Sequence, residues 1–352
     1  MKRKIDRVYF ELTTLCNLKC THCFNFNQNI KQKYLNFAEF SKFYPIIRNK
    51  TNGIVLTGGE PFLHPEIERF LELIKSEPVV VTTNATVQSK ENLEKILKKF
   101  SNILLQISFD GMTKKSFEAV RGIGTYEKVK DTIDYLSKNG FSKRIGLSTS
   151  ILSCNIHEVL DIIAYAKEKG LNSIHFPTLI MEGRCAEDRT ILPDVESLNQ
   201  LESDLLRLAV ENEELNISVN TLNRVAGMVC GNKSNDCLTN ATIKVTVDGK
   251  IMPCPVAWRE EESLCNVSEI SCYADILSKI EQIKQENYCE ENCKECEANI
   301  LCNMNFCEHC SIRKHVDLVG MKYRCSNLKY HINCIREEEI YDGKYVNDIY
   351  CK

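Results

Sequence analysis

The sequence predicts an α/β chain, a series of βα units on a parallel sheet followed by a smaller cysteine-rich part. Three observations carry this. Short runs rich in β-branched and aromatic residues alternate with amphipathic helical runs from residue 8 to about residue 181, the signature of strands and covering helices in a parallel sheet. Cys16, Cys20 and Cys23 fall within eight residues just after the first of these runs. Most of the other cysteines, of 19 in all, lie at or beyond Cys230, around an Asp-Gly hairpin signal.

Strand-like segments are residues 8–13, 53–56, 79–83, 103–109, 145–151 and 174–179. Helical candidates between them are 37–47, 65–76, 90–99, 127–138 and 157–169, the last closed by Gly170 as the left-handed residue after a helix. Six βα units fall short of the eight of a full TIM barrel. A long helical region, 195–214, separates this part from the rest. Residues 242–252 alternate apolar and polar side chains about Asp248-Gly249, a type I′ hairpin turn signal, and the second strand delivers Cys254.

A chain of 352 residues with 43% hydrophobic content can bury one large core and a smaller one. Lys+Arg 45 against Asp+Glu 48 gives a net charge of −3. There is no basic excess to track a phosphate backbone, so nucleic acid is not an expected partner. No apolar run approaches the roughly 18 residues of a membrane span, and Met1-Lys2-Arg3-Lys4 leads into no apolar signal core. The expectation is a cytoplasmic protein with no membrane partner. Cytosolic thiols stay reduced, so clustered cysteines there read as metal ligands rather than disulfides.

The run Cys16-Asn-Leu-Lys-Cys20-Thr-His-Cys23 puts three thiols on one short loop. A cubane iron–sulfur cluster normally takes four thiolates. Three leave one iron open, as a catalytic zinc with three protein ligands keeps a position for chemistry. A structural zinc knuckle is the competing reading, but His22, between Cys20 and Cys23, suits tetrahedral chelation poorly. Further motifs follow at the carboxyl ends of later strands, where chemistry sits in βα barrels. The second strand runs into Leu56-Thr57-Gly58-Gly59-Glu60-Pro61, whose glycines allow close backbone approach. The third ends in Thr82-Thr83-Asn84-Ala85-Thr86, and the fourth in Ile107-Ser108-Phe109-Asp110-Gly111, with Arg121 eleven positions after Asp110. The plainer readings are a structural glycine turn, a solvent-facing salt bridge for Arg121 and a packed loop histidine for His22.

In this order the motifs resemble the radical SAM superfamily. The resemblance implies a partial (β/α)6 TIM-like barrel whose open iron takes the amino and carboxylate groups of S-adenosylmethionine. It implies that His22 lies against the adenine and that Gly58, Gly59 and Glu60 meet the amino group. Ser108 and Arg121 would hold the ribose or the carboxylate, for which a guanidinium fork is well matched. Asn155 and Leu179 would frame the adenosine. Ala85 stands where the family's turn has glycine.

The second half reads Cys237-x11-Gly249-x4-Cys254, then Cys293-x2-Cys296-x5-Cys302-x4-Cys307, then Cys325. This resembles the SPASM subfamily, whose small cysteine-rich domain of a β-hairpin and short helices holds two auxiliary [4Fe–4S] clusters. The interval before Cys307 is one residue longer than in the subfamily. Carried over by position, Cys230, Cys237, Cys254 and Cys307 would ligate one cluster, and Cys293, Cys296, Cys302 and Cys325 the other. Cys310 could replace Cys307, and Cys289 could substitute in either site. The rival is a zinc site at Cys293, Cys296, Cys307 and Cys310. It would leave Cys230, Cys237, Cys254, Cys302 and Cys325 without a role. Cys154, Cys265, Cys272, Cys334 and Cys351 read as packed or surface thiols. The implied domains are a barrel over 1–220, an auxiliary-cluster domain over 221–340 and a tail over 341–352.

The resemblance implies reductive cleavage of S-adenosylmethionine to methionine and a 5′-deoxyadenosyl radical, with a flavodoxin or ferredoxin-type reductant. It points to an oxidoreductase that modifies a ribosomal peptide or protein, forming an oxidative thioether or carbon–carbon cross-link. Sulfatase maturation fits less well, because Pro255 follows Cys254 where that subfamily carries aspartate. One alternative is epimerisation or dehydrogenation of a peptide or small molecule, for which Cys185 would be the thiol hydrogen donor. Another is a non-catalytic iron–sulfur or zinc protein. The first strand starts within ten residues of Met1, so leader recognition would fall to the barrel, the second domain or a separate protein.

Overall fold

A computed structural model describes residues 4–25, 31–211, 214–219, 240–257, 259–283, 285–287 and 305–307. Strand β1, Lys4–Thr13, is the longest of the sheet. Helix α1, Phe37–Ile47, follows it, with the Asn36 side chain accepting from the Ala38 N–H at its start. Capping of this kind satisfies an N–H that has no partner inside the helix. The buried face of α1 is Phe40, Phe43, Tyr44 and Ile47, and Phe40 meets Phe10 of β1 edge-on at 4.8 Å.

The units then repeat: β2 Gly53–Gly58 and α2 Ile67–Leu73, β3 Val79–Thr83 and α3 Lys90–Lys99, and β4 Ile103–Ser108 followed by α4 Lys114–Arg121 and α5 Tyr126–Leu136. Next come β5 Ile145–Ser148 and α6 Val159–Glu168, then β6 Ser173–Phe176, the single turn α7 Arg184–Glu187 and the long α8 Val195–Glu211. Helix α3 shows why the pattern folds as it does. Ser89 caps it, and Leu93, Ile96 and Leu97 fall on one face and are buried. Each such side chain contributes about 1.5–3 kcal/mol of burial.

Strands pair in the order β10-β9-β8-β1-β2-β3-β4-β5-β6-β7, parallel from β8 through β7. This is the mixed α/β architecture of an incomplete βα barrel, with β7 (Asn216–Val219) and β10 (Cys265–Asn266) as its two edges. The hairpin forms as β8 Asn240–Val245 and β9 Lys250–Met252, with Gly249 at φ 71 in the turn. It is continuous with the barrel sheet, because β8 lies parallel against β1 with Phe10 opposite Val245. A separate two-stranded sheet joins β11 Gln285–Asn287 to β12 Asn305–Cys307.

Several elements differ from the expectation. Helix α4 and strand β7 form in stretches where the sequence pattern predicts no element. The strand expected over 145–151 stops at Ser148, because Thr149 turns its hydroxyl to the Phe109 carbonyl and Ser150 donates its N–H to Asp110. The strand expected over 174–179 ends at Phe176. Among the described residues no helix is long and apolar enough to cross a membrane.

Candidate functional site

The cysteine loop leaves β1 at its carboxyl end and is seated against the end of β2. Gly59 donates its N–H to the Thr13 carbonyl and Glu60 to the Leu15 carbonyl, both at 2.8 Å. A Cβ on Gly58, at φ 130, would lie 2.3 Å from the Thr13 oxygen, and one on Gly59 would lie 2.2 Å from the Leu15 oxygen. The close approach that these glycines permit is therefore to the cysteine loop itself. Cys20 is buried, Cys23 half-buried and Cys16 exposed.

Three donors address the sulfurs. Cys16 Sγ accepts from the Leu18 N–H at 3.4 Å and from Asn84 Nδ2 at 3.8 Å, and Cys20 Sγ accepts from Arg121 Nη1 at 3.7 Å. Burial and the neighbouring Cys20 push the Cys23 thiol up, so a bound cation is what would favour its thiolate. Among the described residues no three Cys, His, Asp or Glu side chains converge on a single ion position. A cubane takes one thiolate per iron and tolerates hydrogen bonds to its sulfurs.

Arg121 ends α4 and is buried, not solvent-facing. Its Nε binds Asp110 Oδ2 at 2.5 Å, and Asp110 Oδ1 accepts the Ser150 N–H at 2.6 Å. His22 is half-buried, but its Nδ1 is sealed from solvent with no hydrogen-bond partner. Desolvation lowers its pKa to about 4, against the pull of Asp110. Ser108 closes β4 opposite Ser148. Asn155 is fully buried and spends its side chain on the protein, donating to the Asp110 and Ser150 carbonyls and accepting from the Leu152 N–H. It shapes the loops after β4 and β5. Leu179 is half-buried beyond β6.

Glu60 is also fully buried. Its carboxylate accepts from Thr83 Oγ1 at 2.8 Å, from the Phe62 N–H at 3.2 Å and from the Asn84 N–H at 2.7 Å. Burial raises its pKa to about 7, and those donors hold it from rising further. Asn84 in turn donates to Asn17 Oδ1 at 3.0 Å. Ala85 takes the glycine-like conformation of its turn, φ 55.

Cys185 is fully buried, and its Sγ meets Met181 Sδ at 3.5 Å. Around it lies a contact that no motif announced. Arg184 donates its N–H to the Cys23 carbonyl and Nη1 to the Cys20 carbonyl, both at 3.1 Å. The only advance signal was the Gly183-Arg184 pair after the sixth strand. In the second half, Cys254 follows β9 and is half-buried, and Cys307 ends β12 with its backbone paired to Gln285. Cys230, Cys237, Cys289, Cys293, Cys296, Cys302, Cys310 and Cys325 lie outside the described residues.

Fold and loop together define a βα-barrel protein with a three-thiol loop at the carboxyl end of its first strand. Residues 10–166 match the family model of the Radical SAM superfamily. Over that stretch, a little under half of its length, the chain is similar to that superfamily. It is 30% identical over 173 residues to the antilisterial bacteriocin subtilosin biosynthesis protein AlbA of Bacillus subtilis, covering 47% of this chain and 38% of that protein. It therefore spans well under two thirds of AlbA. It is 23% identical over 310 residues to the GTP 3′,8-cyclase of Aliarcobacter butzleri, covering 81% of this chain and 91% of that protein. The structure of anSMEcpe with bound AdoMet and Cp18Cys peptide superposes with a TM-score of 0.70 at 19% identity, over 97% of this chain and 99% of that one. The superfamily implies S-adenosylmethionine and a [4Fe–4S] cluster. The residues present fit the cluster: three thiols on one loop, with donors on two of the sulfurs.

Proposed function

We propose that this protein is a radical SAM enzyme that modifies a ribosomal peptide or protein, with an oxidative thioether or carbon–carbon cross-link as the outcome. The observation that carries it is the loop of Cys16, Cys20 and Cys23, with Arg121 against the Cys20 sulfur at 3.7 Å. When bound, a cluster with one open iron supplies the electron that cleaves S-adenosylmethionine and yields the radical that takes hydrogen from substrate.

Cys16, Cys20 and Cys23 would hold the cluster through three thiolates, and the Gly58-Gly59 turn fixes their loop. Arg121, anchored by Asp110, would offer its remaining N–H groups to the carboxylate of S-adenosylmethionine, and Ser108 would offer its hydroxyl to the ribose. Glu60 braces the β3 turn and would lie near the amino group, whose positive charge would favour its ionised form. His22 would lie beside the adenine, and Leu179 would add apolar surface there. Asn155 acts through the loop that it holds rather than by contact.

The SPASM reading gives two auxiliary clusters, on Cys230, Cys237, Cys254 and Cys307 and on Cys293, Cys296, Cys302 and Cys325, with Cys310 or Cys289 as substitutes. The domain division at 220 and 340, the flavodoxin or ferredoxin-type reductant, a separate leader-binding protein and a cytoplasmic location belong to the same reading. AlbA supports the peptide class by its name, as a bacteriocin biosynthesis protein. A second reading has its own support. The match to GTP 3′,8-cyclase spans 91% of that protein, which favours a small-molecule substrate. Epimerisation would make Cys185 the hydrogen donor, and its full burial against Met181 speaks for packing instead.

Anaerobically reconstituted protein is incubated with S-adenosylmethionine and dithionite, and 5′-deoxyadenosine is measured without addition, with peptides encoded beside the gene, and with GTP. Stimulation by a peptide, with a mass change in it, supports the first reading. Stimulation by GTP supports the second. If no 5′-deoxyadenosine forms under any condition, the enzyme reading falls. Replacing Cys16, Cys20 and Cys23 by Ala should remove about four irons per chain, one cubane, and leave the rest.

A further inference from the structure

The turn after β6 touches the cysteine loop on one side and the segment after the hairpin on the other. We propose that Glu182, Gly183 and Arg184 form a clamp that sets the positions of Cys20 and Cys23 and ties them to the Cys254 segment. These are positioning residues, since they act on ligands through the ligands' own backbone. The inference rests on reading Cys16, Cys20 and Cys23 as cluster ligands.

Gly183 comes closest. It sits at φ 57, ψ −136, a region that only glycine enters at little cost. A Cβ there would lie 2.6 Å from the Cys23 carbonyl oxygen and 2.7 Å from the Phe24 oxygen. Both obstacles are backbone, so any larger residue must push the cysteine loop away. Arg184 then fastens what Gly183 admits. Its N–H takes the Cys23 carbonyl and its Nη1 takes the Cys20 carbonyl, each at 3.1 Å. Two carbonyls on either side of His22 are thus fixed by one residue. Such outer contacts orient metal ligands, and losing one typically costs roughly 10–100-fold in metal affinity.

On the other side of the turn, Glu182 is buried and its Oε1 meets Arg259 Nη1 at 3.4 Å. Arg259 also meets Glu262 at 3.5 Å, and the Glu262 carboxylate accepts the Arg259 N–H at 2.9 Å. Arg259 lies five positions after Cys254. One turn therefore connects the loop at the end of β1 with the chain that leaves the hairpin. Neither the thiols nor the groups facing S-adenosylmethionine explain why three consecutive residues there are a buried glutamate, a glycine at positive φ and an arginine bound to the cysteine loop through both backbone and side chain.

The test uses the full chain in two states. Without metal, alkylation of Cys20 and Cys23 is timed by mass spectrometry in wild type, Gly183→Ala, Arg184→Ala, Arg184→Lys and Glu182→Gln. Faster labelling of both thiols in Gly183→Ala and Arg184→Ala, with Cys265 unchanged as an internal reference for global unfolding, supports the clamp. After reconstitution in a background with a ligand of each auxiliary set replaced, Cys254→Ala with Cys293→Ala, iron retention against a chelator and the electron paramagnetic resonance spectrum of the remaining reduced cluster are compared. The clamp predicts roughly 10–100-fold weaker retention and altered g-values for Arg184→Ala, with partial rescue in Arg184→Lys. Wild-type labelling rates, retention and spectrum in Gly183→Ala and Arg184→Ala overturn the clamp. If wild type itself binds no cluster, the ligand reading fails instead. If Glu182→Gln alone leaves Cys20 and Cys23 unaffected, the tie to the Cys254 segment is overturned while the local clamp stands.

Discussion

Arg121 and Cys20 are 101 positions apart, yet the guanidinium Nη1 reaches the thiol sulfur at 3.7 Å while Nε holds Asp110 at 2.5 Å. A buried cation thus stands between a buried carboxylate and a proposed cluster ligand. Arg121→Ala leaves Asp110 charged and unpaired in the interior, and breaking such a pair costs about 3–5 kcal/mol. Chemical denaturation of the metal-free chain should show this loss. Arg121→Lys keeps the charge but not the fork, so it should recover part of the stability while 5′-deoxyadenosine formation stays at least about tenfold down, as when a group that orients a metal ligand is lost.

Glu60 gives a pH signature. Its carboxyl titrates near 7 in the folded chain against the usual 4.5, so the folded state keeps a proton that the unfolded state has released between those values. That favours the fold at low pH, and the contribution is lost as pH rises through about 7. Glu60→Gln should be less stable overall, because the Asn84 N–H then faces a second donor. Its stability should also vary less between pH 5 and 8 than that of wild type. An unchanged slope would mean that Glu60 ionises normally.

Gly59→Ala should displace the cysteine loop, since the new Cβ meets backbone at 2.2 Å. The expected result is a chain that folds but incorporates less iron at the first site, read by an iron assay in a Cys254→Ala, Cys293→Ala background. Wild-type iron content would show that the loop relaxes freely.

Ala85 at φ 55 sits where an alanine pays strain of about 1–2 kcal/mol that glycine avoids. Ala85→Gly should therefore raise the melting temperature or leave it unchanged, part of the gain being offset by the freer unfolded chain. A clear drop would mean that the Ala85 methyl, which is buried, matters more through packing.

The sequence was most legible where a physical signal is local. Strands β1 to β4 and helices α1 and α3 stood out because an apolar period and a polar cap agree, as at Ser89 and Leu93. Helix α4 was passed over because its eight residues open on Lys114-Lys115 and Gly122 follows Arg121, so they read as loop. The structure supplies the missing signals, a Thr113 cap and Gly122 at φ 103. At the site, the cysteine spacing and the Gly58-Gly59-Glu60 turn were readable as motifs. What those glycines face was not, because Thr13 and Leu15 reach them only across the sheet. Arg184 with Cys20, 164 positions apart, and Glu182 with Arg259 are contacts of topology, and no window of sequence contains both partners.

The pairing of β8 with β1 bears on how the chain is made. Lys4 lies opposite Asn240, more than two hundred positions later. On the ribosome, one side of β1 therefore waits with its amide groups unsatisfied until nearly the whole barrel has emerged. Such a contact is slow to close, and an open strand side invites pairing with a neighbouring nascent chain. Slowing synthesis before residue 240 lengthens that wait and should favour aggregates, whereas supplying β8 sooner by circular permutation should relieve them.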